Sequence, residues 1–110
     1  MRIFLFLVVT LCLATSASAQ DAAALSSVRA AYAAQAKGKW DEALRLAAPA
    51  GQVAVDLIQW DRLRAGRGQF SETIDFLRRR PDWPGLPYLR KRSEATIEPD
   101  AAALDVIGFF

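Results

Sequence analysis

A segment that occurs twice constrains the fold more than any other feature of this sequence. Gly38–Ala47 reads GKWDEALRLA and Gly68–Leu77 reads GQFSETIDFL, at a spacing of 30 residues. Each copy has a glycine, a polar residue, a large aromatic residue, a residue suited to capping a helix, a glutamate, and then apolar residues at helical spacing. A repeat of about 20–50 residues built from helix, glycine turn and helix is typical of α-solenoids, in which neighbouring hairpins stack.

Glycines and prolines divide the remaining chain into further helices, and no stretch alternates as a strand does. We predict helices over residues 22–36, 40–48, 52–65, 72–80 and 84–97, and another that begins at residue 100. The residues predicted to cap three of these helices are Asp21, Asp41 and Ser71. The apolar stripe predicted for the first helix consists of Leu25, Val28, Tyr32 and Gln35 or Ala36.

The fold class predicted from this pattern is all-α, a right-handed α-superhelix (solenoid) of antiparallel helix hairpins over residues 20–110, preceded by a signal peptide. Solenoids need roughly three repeats and polar end caps for independent stability. Phe109 and Phe110 would make a poor cap. We therefore expect residues 20–110 to be the N-terminal part of a longer superhelical domain; the alternative is that both phenylalanines fold back onto the core.

The first 19 residues have the three-part layout of a secretory signal peptide. Arg2 supplies a positive start, Ile3–Ala14 is an apolar run of 12 residues, and Ala17-Ser-Ala19 is a small-x-small cleavage site. A membrane-spanning helix needs about 20 apolar residues, so an uncleaved anchor is the less favoured alternative. We expect cleavage after Ala19, export to the periplasm, and no stable membrane anchor afterwards.

The composition excludes several kinds of site from the mature chain. The sequence has no histidine, and its single cysteine, Cys12, lies in the predicted signal peptide. Histidine–cysteine metal sites, Ser-His-Asp triads and structural disulfides are therefore excluded. The 14 basic and 12 acidic residues nearly balance, which gives little support to nucleic-acid binding. We expect no cofactor and no metal ion.

Carboxylates are the remaining candidates for catalysis. Three pairs have spacings that share a helix face: Asp41 with Glu42, Asp56 with Asp61, and Glu72 with Asp75. A glycosidase pair would need one acid in an apolar pocket that raises its pKa. These acids instead have charged neighbours such as Arg45, Arg62 and Arg79, so we interpret them as helix caps and ion-pair partners.

Two basic runs and four aromatic residues have alternative interpretations. The basic runs Arg78–Arg80 and Arg90–Arg92 fall late in predicted helices, where cations are favourable, and we interpret them as solvated helix ends. The alternative is a groove that contacts an anionic polymer. The aromatic residues are interpreted as core, with a sugar-stacking platform as the alternative: Trp40, Trp60, Trp83 and Tyr88.

Two neighbouring stretches resemble the N-terminal helical region of soluble lytic murein transglycosylases. They are Asp56–Phe70 and Asp75–Arg92, and their most specific part is the phrase PDWPGLP at Pro81–Pro87. The resemblance implies an α-superhelix that buttresses a C-terminal lysozyme-like domain. It also implies cleavage of peptidoglycan without water, in which one glutamate acts as general acid and then base and a 1,6-anhydromuramoyl product forms.

The catalytic glutamate of that family is followed by serine, and this sequence has no Glu-Ser pair. No catalytic residue is carried over, so residues 20–110 would be a scaffold that meets peptidoglycan through the full-length protein. Without the PDWPGLP phrase, the hairpins fit equally well a periplasmic tetratricopeptide-like adaptor that binds proteins and catalyses nothing. Both functions remain open at this point.

Overall fold

A computed structural model describes the backbone of residues 2–110 and the side chains of residues 18–110. Within that range the chain is all-helical and has no strand, which confirms the predicted all-α class. Six α-helices follow one another in the described residues, and short 3-10 turns follow the second and the fifth. The helices are α1 Arg2–Ala36, α2 Trp40–Ala47, α3 Gln52–Arg64, α4 Phe70–Arg79, α5 Leu86–Ser93 and α6 Ala103–Phe109.

The predicted signal peptide falls largely outside the described side chains. Residues 1–17, including Cys12, lie outside the described side chains. The predicted cleavage site after Ala19 lies within α1. Asp21 lies inside the same helix and is not its N-cap, so that capping prediction is wrong. Among the described residues, no helix is both long and apolar enough to cross a membrane.

The chain divides into two compact units, Met1–Val55 and Asp56–Phe110, and the boundary falls within α3. In unit 1, α1 and α2 form a helical hairpin. Gly38 closes α1 with φ of 72°, and the backbone N–H groups of Gly38 and Lys39 donate to Gln35 and Ala34 at 2.9 and 3.0 Å. This is the Schellman pattern, in which a left-handed residue satisfies the last carbonyls of a helix.

Alanines form the buried face of unit 1. The buried residues are Ala31, Ala34, Ala43, Ala47 and Ala54. The predicted stripe of α1 is therefore wrong in part, because Leu25 and Tyr32 are exposed whereas Ala31 and Ala34 are buried. Small side chains at a contact let two helix axes approach closely, which explains why alanines occupy this face.

The two copies of the repeated segment start their helices at the same position. α2 begins at Trp40 and α4 begins at Phe70, which preserves the 30-residue spacing. The preceding turns differ, because the glycine that closes α3 in a Schellman pattern is Gly66 and not the aligned Gly68. The predicted caps Asp41 and Ser71 are wrong, since both residues lie in the first turn of their helices.

Unit 2 has a core of aromatic and aliphatic side chains. Leu63, Phe76, Leu86 and Leu89 form its centre, with Trp60, Leu77 and Trp83 packed against them. Phe109 is buried against the ring of Phe70, at a centroid distance of 5.4 Å, whereas Phe110 is exposed. The two terminal phenylalanines therefore have different environments: one contributes to the core and the other does not.

Prolines set the limits of the helices in the second half of unit 2. α4 ends at Arg79, just before Arg80 and Pro81, and Pro87 lies in the first turn of α5, as predicted. The predicted end of α5 near residue 97 is wrong, because the α-helix ends at Ser93. The chain continues as a 3-10 turn over Glu94–Thr96, and the hydroxyl of Thr96 donates to the carbonyl of Ser93 at 2.6 Å.

Candidate functional site

A buried carboxylate on α3 binds two arginines at the end of α4. Asp56 is fully buried, and both of its carboxylate oxygens accept from Nη1 of Arg79 at 2.9 Å. Nε of Arg80 donates to Oδ2 of Asp56 at 2.7 Å. Hydrogen bonds from Arg79 to Asp75 and to Asp56 raise the pKa of Arg79. The group fixes one end of α4 to α3, because a buried carboxylate is stable only when it is paired and hydrogen-bonded.

A second polar contact joins the C-terminal half of α3 to the start of α4. Arg62 pairs with Glu72, and Gln59 donates to the same carboxylate at 3.2 Å. The turn between these helices passes close to both, since a Cβ atom built on Gly68 would lie 2.9 Å from Cδ2 of Leu63 and 3.3 Å from Oε2 of Glu72. Gly68 also has φ of 136°, a conformation that only glycine adopts readily.

These contacts decide how the carboxylates are interpreted. The predicted ion-pair role is confirmed for Asp56, Glu72 and Asp75, each of which pairs with an arginine. The hydrogen-bond donors to Asp56 include Arg79 and Arg80, which lie 23 and 24 residues further along the chain. Among the described residues, no group of three or more acidic or cysteine side chains is placed to hold a metal ion.

The interpretation of the basic runs Arg78–Arg80 and Arg90–Arg92 as solvated helix ends is wrong for four of their arginines. Arg79 and Arg80 bind Asp56. In the second run, Nη1 of Arg90 donates to the carbonyl of Phe109 at 2.7 Å, and Nη2 of Arg92 donates to that of Ala65 at 3.3 Å. The last two arginines therefore satisfy carbonyls at the C-terminal ends of α6 and α3, as cations near helix C-termini often do.

The indole of Trp83, in the middle of the PDWPGLP turn, packs against aromatic rings of α3 and α4. The ring of Trp83 makes edge-to-face contacts with Phe76 and Trp60, at centroid distances of 5.5 and 6.3 Å. Nε1 of Trp60 donates to the carbonyl of Pro84 at 2.9 Å, so the orientation of that indole is fixed by the turn. Both tryptophans are only partly buried, which leaves part of each ring accessible.

An arginine lies between two aromatic rings beside this turn. The guanidinium carbon of Arg64 is 4.3 Å from the ring centroid of Trp60 and 5.6 Å from that of Tyr88. Gly85, with φ of 71°, brings the backbone against the same arginine, and an added Cβ there would lie 3.4 Å from its Nε. Nε is buried and has no hydrogen-bond partner within residues 18–110.

An apolar groove of about 240 Å³ opens next to this stack. Its lining consists of Leu57, Trp60, Trp83 and Pro84. The core interpretation of the aromatic residues thus holds only in part, since the three tryptophans are half-buried and Tyr88 is 51% exposed. Trp60, Trp83 and Tyr88 belong to one cluster in unit 2, whereas Trp40 belongs to unit 1. The role of Arg64 was not predicted, although its spacing of four residues from Trp60 on a helix was a usable signal.

A second groove, of about 260 Å³, lies between α4, α5 and α6. Its lining carries charges of both signs, Arg78, Arg90 and Asp105, together with the apolar Ile74 and Leu104. In this groove Nη1 of Arg90 donates to the carbonyl of Phe109.

Comparison with known proteins adds no relative: no family model matches the chain, and neither the curated proteins nor the solved structures contain a significant match.

Proposed function

We propose that residues 20–110 are the N-terminal scaffold segment of a periplasmic lytic transglycosylase, an enzyme that cleaves peptidoglycan strands to 1,6-anhydromuramoyl products. The segment itself would supply shape and not chemistry. Its contact with peptidoglycan would be made as part of the full-length protein, after export and removal of residues 1–19.

One observation supports the proposal most strongly: the residues that carry the resemblance to this family are those that hold unit 2 together. Asp56, Arg79 and Arg80 form the buried ion-pair group. Trp60 and Trp83 form the indole contact of the PDWPGLP turn. A resemblance based on residues with structural roles supports a shared scaffold, which is the part that this region represents in the family.

The superhelical arrangement is also part of the proposal. The α1–α2 hairpin, closed by Gly38, and the equivalent starts of α2 and α4 support a fold built from repeated helical hairpins. In a solenoid each hairpin buries its apolar face only against its neighbours. Leu104 and Ile107 on α6 are exposed apolar residues of the kind that a further hairpin would cover.

A periplasmic tetratricopeptide-like adaptor is the second candidate, and the same α1–α2 hairpin favours it. The coding sequence downstream of codon 110 separates the two functions. A reading frame that continues into a lysozyme-like domain with a Glu-Ser motif supports the transglycosylase. A frame that continues only as hairpins of about 30–40 residues before a stop codon supports the adaptor and overturns the first proposal.

Cell fractionation of the organism that expresses this protein tests the proposed periplasmic localisation. We expect the processed protein in the periplasmic fraction, with Gln20 as its first residue by N-terminal sequencing. Protein that remains at full length in the membrane fraction would contradict the predicted cleavage.

A further inference from the structure

Aromatic and proline side chains form an accessible surface of unit 2 around the PDWPGLP turn. Pro84 is exposed and Tyr88 is 51% exposed. Trp60 and Trp83 are half-buried where they line the apolar groove. The turn is held in place, because Nε1 of Trp60 donates to the carbonyl of Pro84 and Trp83 packs against Phe76. Rings that are held in this way need little ordering when a partner binds.

Three arginines adjoin these rings at the C-terminal end of α3. The guanidinium carbon of Arg64 is 5.6 Å from the ring centroid of Tyr88. Arg92 lies four residues after Tyr88 on α5, and its Nη2 would be 3.3 Å from a Cβ atom built on Gly66. Arg67, the residue after Gly66, is exposed. Aromatic rings and cations are therefore neighbours on one surface, which we call the aromatic–basic face.

The charges of this face differ from those of the other arginines in unit 2. The ion pairs among residues 18–110 involve Arg62, Arg79 and Arg80, so the three arginines of the aromatic–basic face lie outside them. The acids closest in sequence to the two indoles are Asp61 and Asp82. Three cations beside two acids leave an excess of positive charge, and such a surface attracts anions.

This combination of groups indicates the chemistry of the partner. Tryptophan and tyrosine rings favour the boundary between water and lipid tails, where the ring meets apolar chains and the polar tip meets headgroups. Arginines attract anionic headgroups, and the guanidinium matches the geometry of a phosphate. A purely acidic polypeptide would satisfy the arginines but would leave the apolar groove and the ring of Tyr88 in water.

We propose that the aromatic–basic face binds reversibly to the surface of an anionic phospholipid bilayer, with the rings of Trp83 and Tyr88 at headgroup level and the three arginines on lipid phosphates. The N–H of Trp60 is already bound to the carbonyl of Pro84, so this indole brings no unpaired donor towards the lipid tails. The binding does not require the proposed function, because it uses only side chains of unit 2 and no glycan.

Co-sedimentation with sucrose-loaded vesicles tests this face. The vesicles contain phosphatidylcholine alone, or phosphatidylcholine and phosphatidylglycerol in equal amounts, in about 0.1 M salt. The protein begins at Gln20, since the apolar run at residues 3–14 would bind lipid by itself. We expect binding to the anionic vesicles to be roughly tenfold or more tighter, because each cation near such a surface strengthens binding by about fivefold. About 0.5 M salt should reverse most of this difference by screening.

Four substitutions, compared at matched circular-dichroism spectra, assign the binding to this face. Arg67→Gln should weaken binding to anionic vesicles by about fivefold. Arg78→Gln is its matched control, since Arg78 is also exposed but lines the second groove, and should change binding by less than about twofold. Tyr88→Ser should weaken binding several-fold through loss of an exposed ring. Asp82→Asn should strengthen binding several-fold, a gain that unfolding does not explain.

Three results would overturn the proposed membrane contact. The first is equal binding to neutral and anionic vesicles, or binding to neither, by protein with a helical spectrum. The second is an equal effect of Arg67→Gln and Arg78→Gln. The third is displacement from the vesicles by soluble polyglutamate at the same concentration of negative charge, because the partner would then be an acidic polypeptide and the rings would contribute nothing.

Discussion

Replacement of Asp56 by asparagine is the sharpest test of what holds unit 2 together. The side chain of Asp56 is 1% exposed and accepts three hydrogen bonds from Arg79 and Arg80. Asparagine has the same shape but no charge, and its amide group presents N–H donors to one arginine in place of an acceptor. The substitution therefore removes the ion pairs without creating a cavity.

The expected loss follows from these contacts. Removing one partner of a buried pair typically costs about 3–5 kcal/mol, because the remaining charge is left unpaired. Here the side chains of Arg79 and Arg80 are 36% and 28% exposed, so water solvates part of the released charge. We expect Asp56→Asn to lower the free energy of unfolding by about 2–4 kcal/mol. For a domain of this size that corresponds to a fall in Tm on the order of 10 °C or more.

Urea denaturation followed by tryptophan fluorescence measures this loss, since Trp60 and Trp83 lie in the same unit. Asp75→Asn is the matched control, because it removes another carboxylate from Arg79 but at a side chain that is 59% exposed. We expect the control to lose less than about 1 kcal/mol. Equal effects of the two substitutions would refute the buried ion-pair group as the main polar support of unit 2.

Four further substitutions test other parts of the fold. Gly68→Ala should destabilise the chain by about 1–3 kcal/mol, because Gly68 has a positive φ and an added Cβ would lie 2.9 Å from Cδ2 of Leu63. Its urea midpoint should shift more than that of Gly38→Ala, since no atom lies within 4 Å of a Cβ built on Gly38. Similar midpoints for both variants would contradict the close approach at Gly68. Phe76→Ala, at a fully buried ring, should cost about 3–5 kcal/mol. Trp40→Ala should cost clearly less, since Trp40 is only half-buried, and calorimetric Tm values that rank these two variants in the opposite order would contradict the burial.

The helical class was predictable because it depends on local signals. The aromatic residues at the start of α2 and α4, and the glycine after α1, marked the repeat and its limits. Pro87 in the first turn of α5 was predictable for the same reason: a proline excludes most other helix positions.

The buried faces were less predictable, since burial depends on contacts between helices. Hydrophobicity favoured Leu25 and Tyr32 on α1, but Ala31 and Ala34 are the buried residues, because the hairpin packs closely. Likewise, a charged residue such as Asp56 is expected at the surface unless its partners are known. Those partners lie 23 and 24 residues further along the chain, beyond the reach of helical spacing rules.

In the candidate site, too, features set by local sequence were predictable and features set by contacts between helices were not. Trp60, Trp83 and Tyr88 were interpreted as core, with a sugar-stacking platform as the alternative. The two tryptophans are half-buried, whereas Tyr88 is 51% exposed. Arg64 was missed because a lone arginine near the end of a helix has many ordinary roles. Only the arrangement of Trp60, Tyr88 and Gly85 around it distinguishes it from the other arginines.

Muropeptide analysis of digested sacculi tests the scaffold proposal most directly. Purified sacculi are incubated with residues 20–110 and, separately, with the protein extended through its downstream reading frame. The soluble products are separated by chromatography and identified by mass spectrometry. We expect 1,6-anhydromuramoyl products from the extended protein and none above a blank from residues 20–110. Release of these products by residues 20–110 alone, or their absence with the extended protein, would contradict the scaffold proposal.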